Sequence, residues 1–209
     1  MTNKKRGVVL IAAGAALLLA ALFLIFANFR EADKADKTAA NALQKLDAAI
    51  AAQQAQTETT FAPEAESAAD PEPAEQEDAA LEIDGQMYIC IIEIPKIGVR
   101  LPVMREWSYD NLAAAPCRYS GSVAGRNIII AGHNYKGFFS RLQELNSGDK
   151  IYLTTIDGVR HDYEVDYPLR VGGNDLPRMK GGSDSWELTV FTCTWSGWSR
   201  VTVRAVLVN

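Results

Sequence analysis

Leu188-Thr189-Val190-Phe191-Thr192-Cys193, followed seven positions after the cysteine by Arg200-Val201-Thr202-Val203-Arg204-Ala205-Val206-Leu207-Val208, decides how this chain is read. Both stretches are short, apolar and rich in β-branched residues, which favour pleated, half-buried backbone. A third such run, Ile128-Ile129-Ile130-Ala131, leads into Gly132-His133-Asn134, sixty residues before Cys193. A thiol, an imidazole and a guanidinium therefore stand at the edges of three strand-like segments. These are the parts of a nucleophilic cysteine site: the thiol attacks a carbonyl, the imidazole moves the proton and the guanidinium steadies the oxyanion. A lone cysteine at a strand end is more often a buried structural thiol, so the combination with His133 and Arg200 carries the reading.

Working outward, segments 87–94, 99–103, 127–131, 150–155, 160–167, 187–192 and 200–208 read as strands, punctuated by Gly, Pro, Asn and Asp. Asp157-Gly158 is a hairpin signal between two of them. Helical patterning is confined to Trp107–Ala115 and Phe138–Leu145. Many short strands with few helices favour a mainly β architecture, a closed or nearly closed barrel with one or two short helices, over residues 81–209.

The rest of the chain is organised differently. After Lys4-Lys5-Arg6, residues Gly7 to Phe29 run 23 positions without a charge. As a helix that run is roughly 34 Å long, enough for a hydrocarbon core of about 30 Å. The basic flank 1–6 predicts a cytoplasmic N-terminus and an extracellular catalytic domain on a single-pass span at 7–29. A cleaved signal peptide is the rival, and its apolar region is normally shorter. Residues 30–80 read as a stalk. Its first part, 31–53, is helix-compatible, with Leu43, Leu46 and Ile50 on one stripe. Its second part, 54–80, is proline-bearing, acidic and expected to be disordered. Residues 31–80 hold twelve Asp/Glu against three Lys, whereas 85–209 hold fourteen Lys/Arg against twelve Asp/Glu. The net charge of -5 thus belongs to the stalk. No basic run or aromatic-basic stripe marks a nucleic-acid surface. Cys90, Cys117 and Cys193 have no zinc-type spacing, and no metal or cofactor is expected. A Cys90–Cys117 disulfide is geometrically untestable from sequence.

Four motifs taken together, Ile94-Pro95-Lys96-Ile97-Gly98-Val99-Arg100-Leu101-Pro102-Val103, Ala131-Gly132-His133-Asn134, Thr189-Val190-Phe191-Thr192-Cys193 and Arg200, resemble a sortase. The resemblance spans residues 85–209 in order, behind an anchor and stalk of the sortase kind. Val190 stands where the family's Thr-Leu-x-Thr-Cys motif usually has Leu. The resemblance implies an eight-stranded barrel and an extracytoplasmic cysteine transpeptidase, found mainly in Gram-positive bacteria. Such enzymes cleave a C-terminal sorting signal, Leu-Pro-x-Thr-Gly or a relative, and pass the acyl group to an amine. It implies as partners surface proteins or pilins bearing that signal, and an acceptor such as a peptidoglycan precursor or a pilin lysine. It makes Cys193 the nucleophile, His133 the proton carrier and Arg200 the group that binds the signal or the oxyanion. Thr192 would position the acylated carbonyl. Asn134 and Trp195 are further positioning candidates, set against ordinary loop packing. Trp198 either walls a groove or packs its loop, Tyr135 and Phe138 either shape the leaving-group side or pack their loop, His161 reads as solvent-facing, and Arg204 as a surface or rim charge. The compact Thr192–Arg200 segment leans towards a class B-like or unclassified sortase. A purely hydrolytic cysteine peptidase and a non-catalytic barrel that binds a partner's C-terminal tail remain as alternatives.

Overall fold

Alternation of side chains along each strand sorts the β-branched runs into two apolar layers. The computed structural model describes residues 3–59, 77–173, 175, 186–194 and 196–208. Helix α1 (Asn3–Thr59) precedes strands β1 (Leu81–Ile83), β2 (Gln86–Ile94) and β3 (Val99–Met104). After α2 (Tyr109–Leu112) come β4 (Cys117–Ser120), β5 (Ile128–Gly132), β6 (Lys150–Thr155), β7 (Arg160–Gly172), β8 (Leu188–Cys193) and β9 (Ser199–Leu207). The sheet runs β2-β3-β4-β5-β8-β9-β7-β6, and β6 pairs back onto β2 from Cys90↔Thr155 to Glu93↔Tyr152. Eight strands therefore close into a barrel, with β1 added to β2 through the Asp84-Gly85 turn.

Strand β5 is buried along its whole length because it has apolar neighbours on both faces. Ile128 and Ile130 join Leu188, Val190, Val201 and Val203 in one cluster. Ile129 and Ala131 join Phe191, Val171 and Tyr119 in the other. Burial on both faces and parallel pairing with β8 explain its unbroken apolar sequence.

Two strands were not legible as such. Leu81–Ile83 has three residues. Cys117–Ser120 lacks a β-branched run, yet it adds to β5 with Cys117↔Ala131 and Arg118↔Ile130. Both helical expectations shrink as well. Trp107–Ala115 yields only Tyr109–Leu112, capped by the Ser108 side chain accepting from Asn111 N. Phe138–Leu145 yields a turn and the 3-10 helix Leu142–Glu144.

The larger difference lies in the stalk. The helix expected over 31–53 is continuous with the apolar run and continues to Thr59, into the stretch expected to be disordered. It lies on the barrel wall. Ala35, Ala39, Ala42, Leu46 and Ile50 form a buried stripe at helical spacing. Its upper half consists of alanines, which gave no hydropathy signal but allow close approach. Ala35 and Ala39 join the first apolar cluster, while Ala42, Leu46 and Ile50 pack with Ile83, Tyr88 and Ile91 in the second. Polar contacts fix the register. Lys45 pairs with Asp84 at 2.6 Å, Arg100 forks onto Asp47 with two 2.7 Å bonds, and Gln54 donates to Gly158 O at 3.4 Å. Exposed pairs of this kind contribute about 0.2–1 kcal/mol each, so the apolar stripe carries the docking. The disorder expectation for residues 60–76 lies outside the described residues. At Asp78 the chain is fixed, its carboxylate accepting from Val123 N and Ala124 N at 2.9 and 3.0 Å.

Leu46 is 0% exposed. Leu46→Ala is expected to lower the unfolding free energy by about 2–5 kcal/mol, the usual cost of emptying a leucine site. Guanidinium melts of the detergent-solubilised full chain measure it. An unchanged midpoint would mean that the helix stands off the barrel.

Candidate functional site

The site follows from two strand registers. β5 and β8 are parallel neighbours from Ile128↔Leu188 to Gly132↔Thr192, so His133 and Cys193 are the next residues on adjacent strand ends. β8 and β9 are antiparallel, and their last pair is Cys193↔Arg200. Directly opposed residues share a face, and their Cβ atoms lie about 5 Å apart. His133, Cys193 and Arg200 thus occupy one end of the barrel, each half-buried. Together they offer a nucleophile, a proton carrier and a fixed positive charge.

Local packing sets each of them. Gly132 admits the Phe139 ring. A Cβ there would lie 2.3 Å from Phe139 Cδ2. Phe139 N in turn donates to His133 O at 3.1 Å, which ties the following loop back onto the histidine. Tyr135 stacks on the imidazole, with ring centroids 4.6 Å apart and planes inclined by 21°. The carboxylate of Glu31 on α1 lies beside the Tyr135 hydroxyl. Burial and the adjacent Glu31 charge both push the Tyr135 pKa up. On the other side, Arg200 Nη1 donates to Gly197 O at 3.0 Å and Ser199 O at 3.3 Å, holding the guanidinium over the β8–β9 turn. Gly197 makes that turn possible with φ +73°.

Cys193 opens into a cavity of about 290 Å³ shared with Asn134, Ser140, Gln143, Arg170, Thr192 and Ser196. Arg200 lies in a separate hollow of about 420 Å³ with Gly173, Ser196, Gly197 and Trp198. Thr192 is 2% exposed, and its Oγ1 has no hydrogen-bond partner among the described residues. A buried hydroxyl left in this state costs about 1–3 kcal/mol. Asn134 lines the cavity, whereas Trp195 lies outside the described residues. Trp198 is 85% exposed at the turn. Among the described residues no group of three or more His, Cys, Asp and Glu side chains gathers where it could hold a metal ion.

Other sequence readings change. Arg204 is not a rim charge. It is 3% exposed, donates to Thr189 Oγ1 at 2.6 Å, and lies 5.1 Å from the Trp186 ring centre. Burial pushes its pKa below the ordinary arginine value. Four residues of strand separate it from Arg200, roughly 13 Å, so it does not share the Cys193 end. His161 is half-buried on β7 opposite Leu153, by the β6–β7 turn, and belongs to the other end of the barrel. Cys90 and Cys117 are free and buried, with no disulfide between them. Burial raises both thiol pKa values, that of Cys117 to about 12. Arg170, Gln143 and Ser140 were missed. They lie on different elements, and only the pairing Arg170↔Val201 beside Thr192↔Val201 brings the arginine to this mouth.

Burial pushes the His133 pKa below its ordinary value of 6.5, and the Glu31 carboxylate pulls it partly back up. The imidazole is therefore mainly neutral at pH 7. NMR titration of the full chain, which has only two histidines, is expected to give a His133 midpoint below 6.5. Glu31→Gln removes the charge that favours imidazolium and lowers that midpoint further. A rise in Glu31→Gln would place the carboxylate away from the ring.

Comparison with known proteins agrees with the barrel fold. The sortase domain model matches residues 92–208. Sortase A of Bacillus anthracis is 30% identical over 177 residues, covering 78% of this chain and 75% of that protein. Among solved structures, sortase A from Corynebacterium diphtheriae superposes with a TM-score of 0.53 at 26% identity, covering 59% of this chain and 62% of that one. This chain thus spans under two thirds of that structure. A Clostridium perfringens sortase D5 transpeptidase gives a TM-score of 0.52 at 28% identity, covering 58% and 79%. Sortase C1 from Streptococcus agalactiae gives 0.51 at 28% identity, covering 62% and 71%. These relatives carry the class letters A, C and D, which leaves the class of this chain open. The domain match over more than half its length, together with the relative from Bacillus anthracis, establishes that this chain belongs to the sortase family of cysteine transpeptidases.

Proposed function

We propose that the chain is a membrane-anchored sortase that cleaves a C-terminal Leu-Pro-x-Thr-Gly-like signal and transfers the acyl group to an amine. The reading rests on the two registers that bring His133, Cys193 and Arg200 to one barrel end. The Cys193 thiol passes its proton to the neutral His133 imidazole, and the thiolate attacks the carbonyl carbon of the scissile bond. Arg200 stabilises the oxyanion. The tetrahedral adduct collapses, the imidazolium gives its proton to the leaving amine, and a thioester remains on Cys193. An acceptor amine then attacks this thioester and loses a proton to His133, and the thiolate leaves. Thr192 Oγ1 and Asn134, both at the Cys193 cavity, position the acyl group. The uncharged run 7–29 supports a membrane span, and the Lys4-Lys5-Arg6 flank supports a cytoplasmic N-terminus with the barrel outside. The substrates are surface proteins or pilins carrying the signal, and the acceptor is a peptidoglycan precursor or a pilin lysine.

The test uses the full chain in detergent with a pool of sorting-signal peptides and amine acceptors, read by mass spectrometry. An acyl adduct on Cys193 and an amine-ligated product are expected. Cys193→Ala is expected to lose both, and cleavage persisting in that variant would refute the nucleophile. Hydrolysis without ligation, with every acceptor, would make the enzyme a peptidase. Arg200→Lys replaces a planar fork by a point charge. It is expected to lower kcat by about 100-fold or more, the usual effect of losing an oxyanion donor. Near-normal turnover would remove Arg200 from the chemistry.

A thiol-reactive reagent applied to the native chain is expected to modify Cys193 alone, because Cys90 and Cys117 are buried. Peptide mapping reads the site, and labelling at Cys117 of the folded chain would contradict its burial.

A further inference from the structure

The helix that carries the apolar run is the same helix that docks on the barrel, and it does so without a break. The uncharged run ends at Phe29, and two residues later Glu31 already lies beside Tyr135, which stacks on His133. Two residues of helix are about 3 Å of rise. Farther along, Asp36 abuts Gly137, Asp47 meets Arg100, and Gln54 reaches the β6–β7 turn at Gly158. From Glu31 to Gln54 the helix advances by about 35 Å. Direction along α1 is therefore direction along the barrel wall, from the end bearing Cys193 to the far end. The uncharged segment extends beyond the Cys193 end, with Val8 through Phe29 exposed on all sides.

Resting on the membrane-anchored reading, we infer that the active-site end of the barrel is held against the phospholipid headgroup surface, with the β6–β7 turn pointing away. Two exposed side chains on that rim suit such a surface. Trp198, at the tip of the β8–β9 turn, is 85% exposed, and indole side chains concentrate at headgroup level. Lys136, exposed beside Tyr135 in the loop that α1 grips, places a cation where phosphates lie. Arg30 sits over the Phe26 ring at 5.9 Å, at the boundary between the uncharged run and the docked stripe. Signals and acceptors that are themselves membrane-bound would then reach Cys193 without leaving the headgroup layer.

The test places one fluorophore on the full chain, at Lys136→Cys or at Asp157→Cys, in a Cys193→Ala background. The chain is reconstituted in phosphatidylcholine–phosphatidylglycerol vesicles containing a headgroup-nitroxide phospholipid as quencher. Fluorescence is expected to be lost at position 136 and retained at 157. A flexible Gly-Ser insertion between Arg30 and Glu31 is expected to remove that difference. In the otherwise native chain, the quenched part of the tryptophan emission is expected to fall in Trp198→Phe. Equal quenching at 136 and 157, stronger quenching at 157, or none at either in vesicle-bound chain overturns the orientation. Tryptophan quenching unchanged in Trp198→Phe removes that residue from the contact. Chain recovered in the soluble fraction instead of with the vesicles overturns the anchoring itself, a separate result.

Discussion

The parallel pairing of β5 with β8 is the constraint on which the site depends. From Ile128↔Leu188 to Gly132↔Thr192 it sets two strand ends level, so that residues sixty positions apart in sequence emerge side by side. Side chains alternate with a period of two, and a slip of one residue would turn Cys193 from the face it shares with Arg200 to the opposite one. Burial on both faces of β5 forbids that slip, because Ile129 and Ala131 would exchange places with Ile128 and Ile130 in differently shaped layers. Closure through β6 and β2 then removes the freedom an open sheet would keep. The geometry of the reacting groups is thus a by-product of how apolar side chains are shared between two layers.

The sequence was informative where the physics is local and periodic. Seven β-branched runs named most of the barrel, and the Gly132-His133, Thr192-Cys193 and Arg200 positions each fell at the end of such a run. It was weak where a strand's pairing comes from its neighbours. Cys117-Arg118-Tyr119-Ser120 has little intrinsic strand character and becomes β4 because β3 and β5 flank it. It was weakest for α1. A stripe of Ala35, Ala39 and Ala42 looks the same whether it faces water or a barrel wall, and only tertiary contact distinguishes the two. For the same reason Arg170 and Glu31 could not be connected with Cys193 and His133. Arg204 misled because charge was taken as exposure, whereas Thr189 and Trp186 provide it with a buried berth.

Opposing influences meet at His133. Burial favours the neutral ring, the Glu31 carboxylate favours the charged one, and Tyr135 covers a face of the imidazole and lies beside that carboxylate. One member of this set belongs to α1 and the other two to the loop after β5. A barrel cut free of residues 31–59 would lack both a charge near its histidine and the cover over Ile83, Tyr88 and Ile91. Chemistry measured on such a fragment would describe a different electrostatic setting.

The inaccessibility of Cys90 and Cys117 also bears on oxidative damage. Cys117 stands two strands from Cys193 across β5 and two residues back along the strand, roughly 12 Å at ordinary strand spacings, beyond the roughly 7 Å over which a disulfide can close. The chain consequently has no resolving thiol of its own. If Cys193 is oxidised to a sulfenic acid, no internal bridge can form to shield it from further, irreversible oxidation. Recovery of the enzyme then depends on reductant supplied from its surroundings.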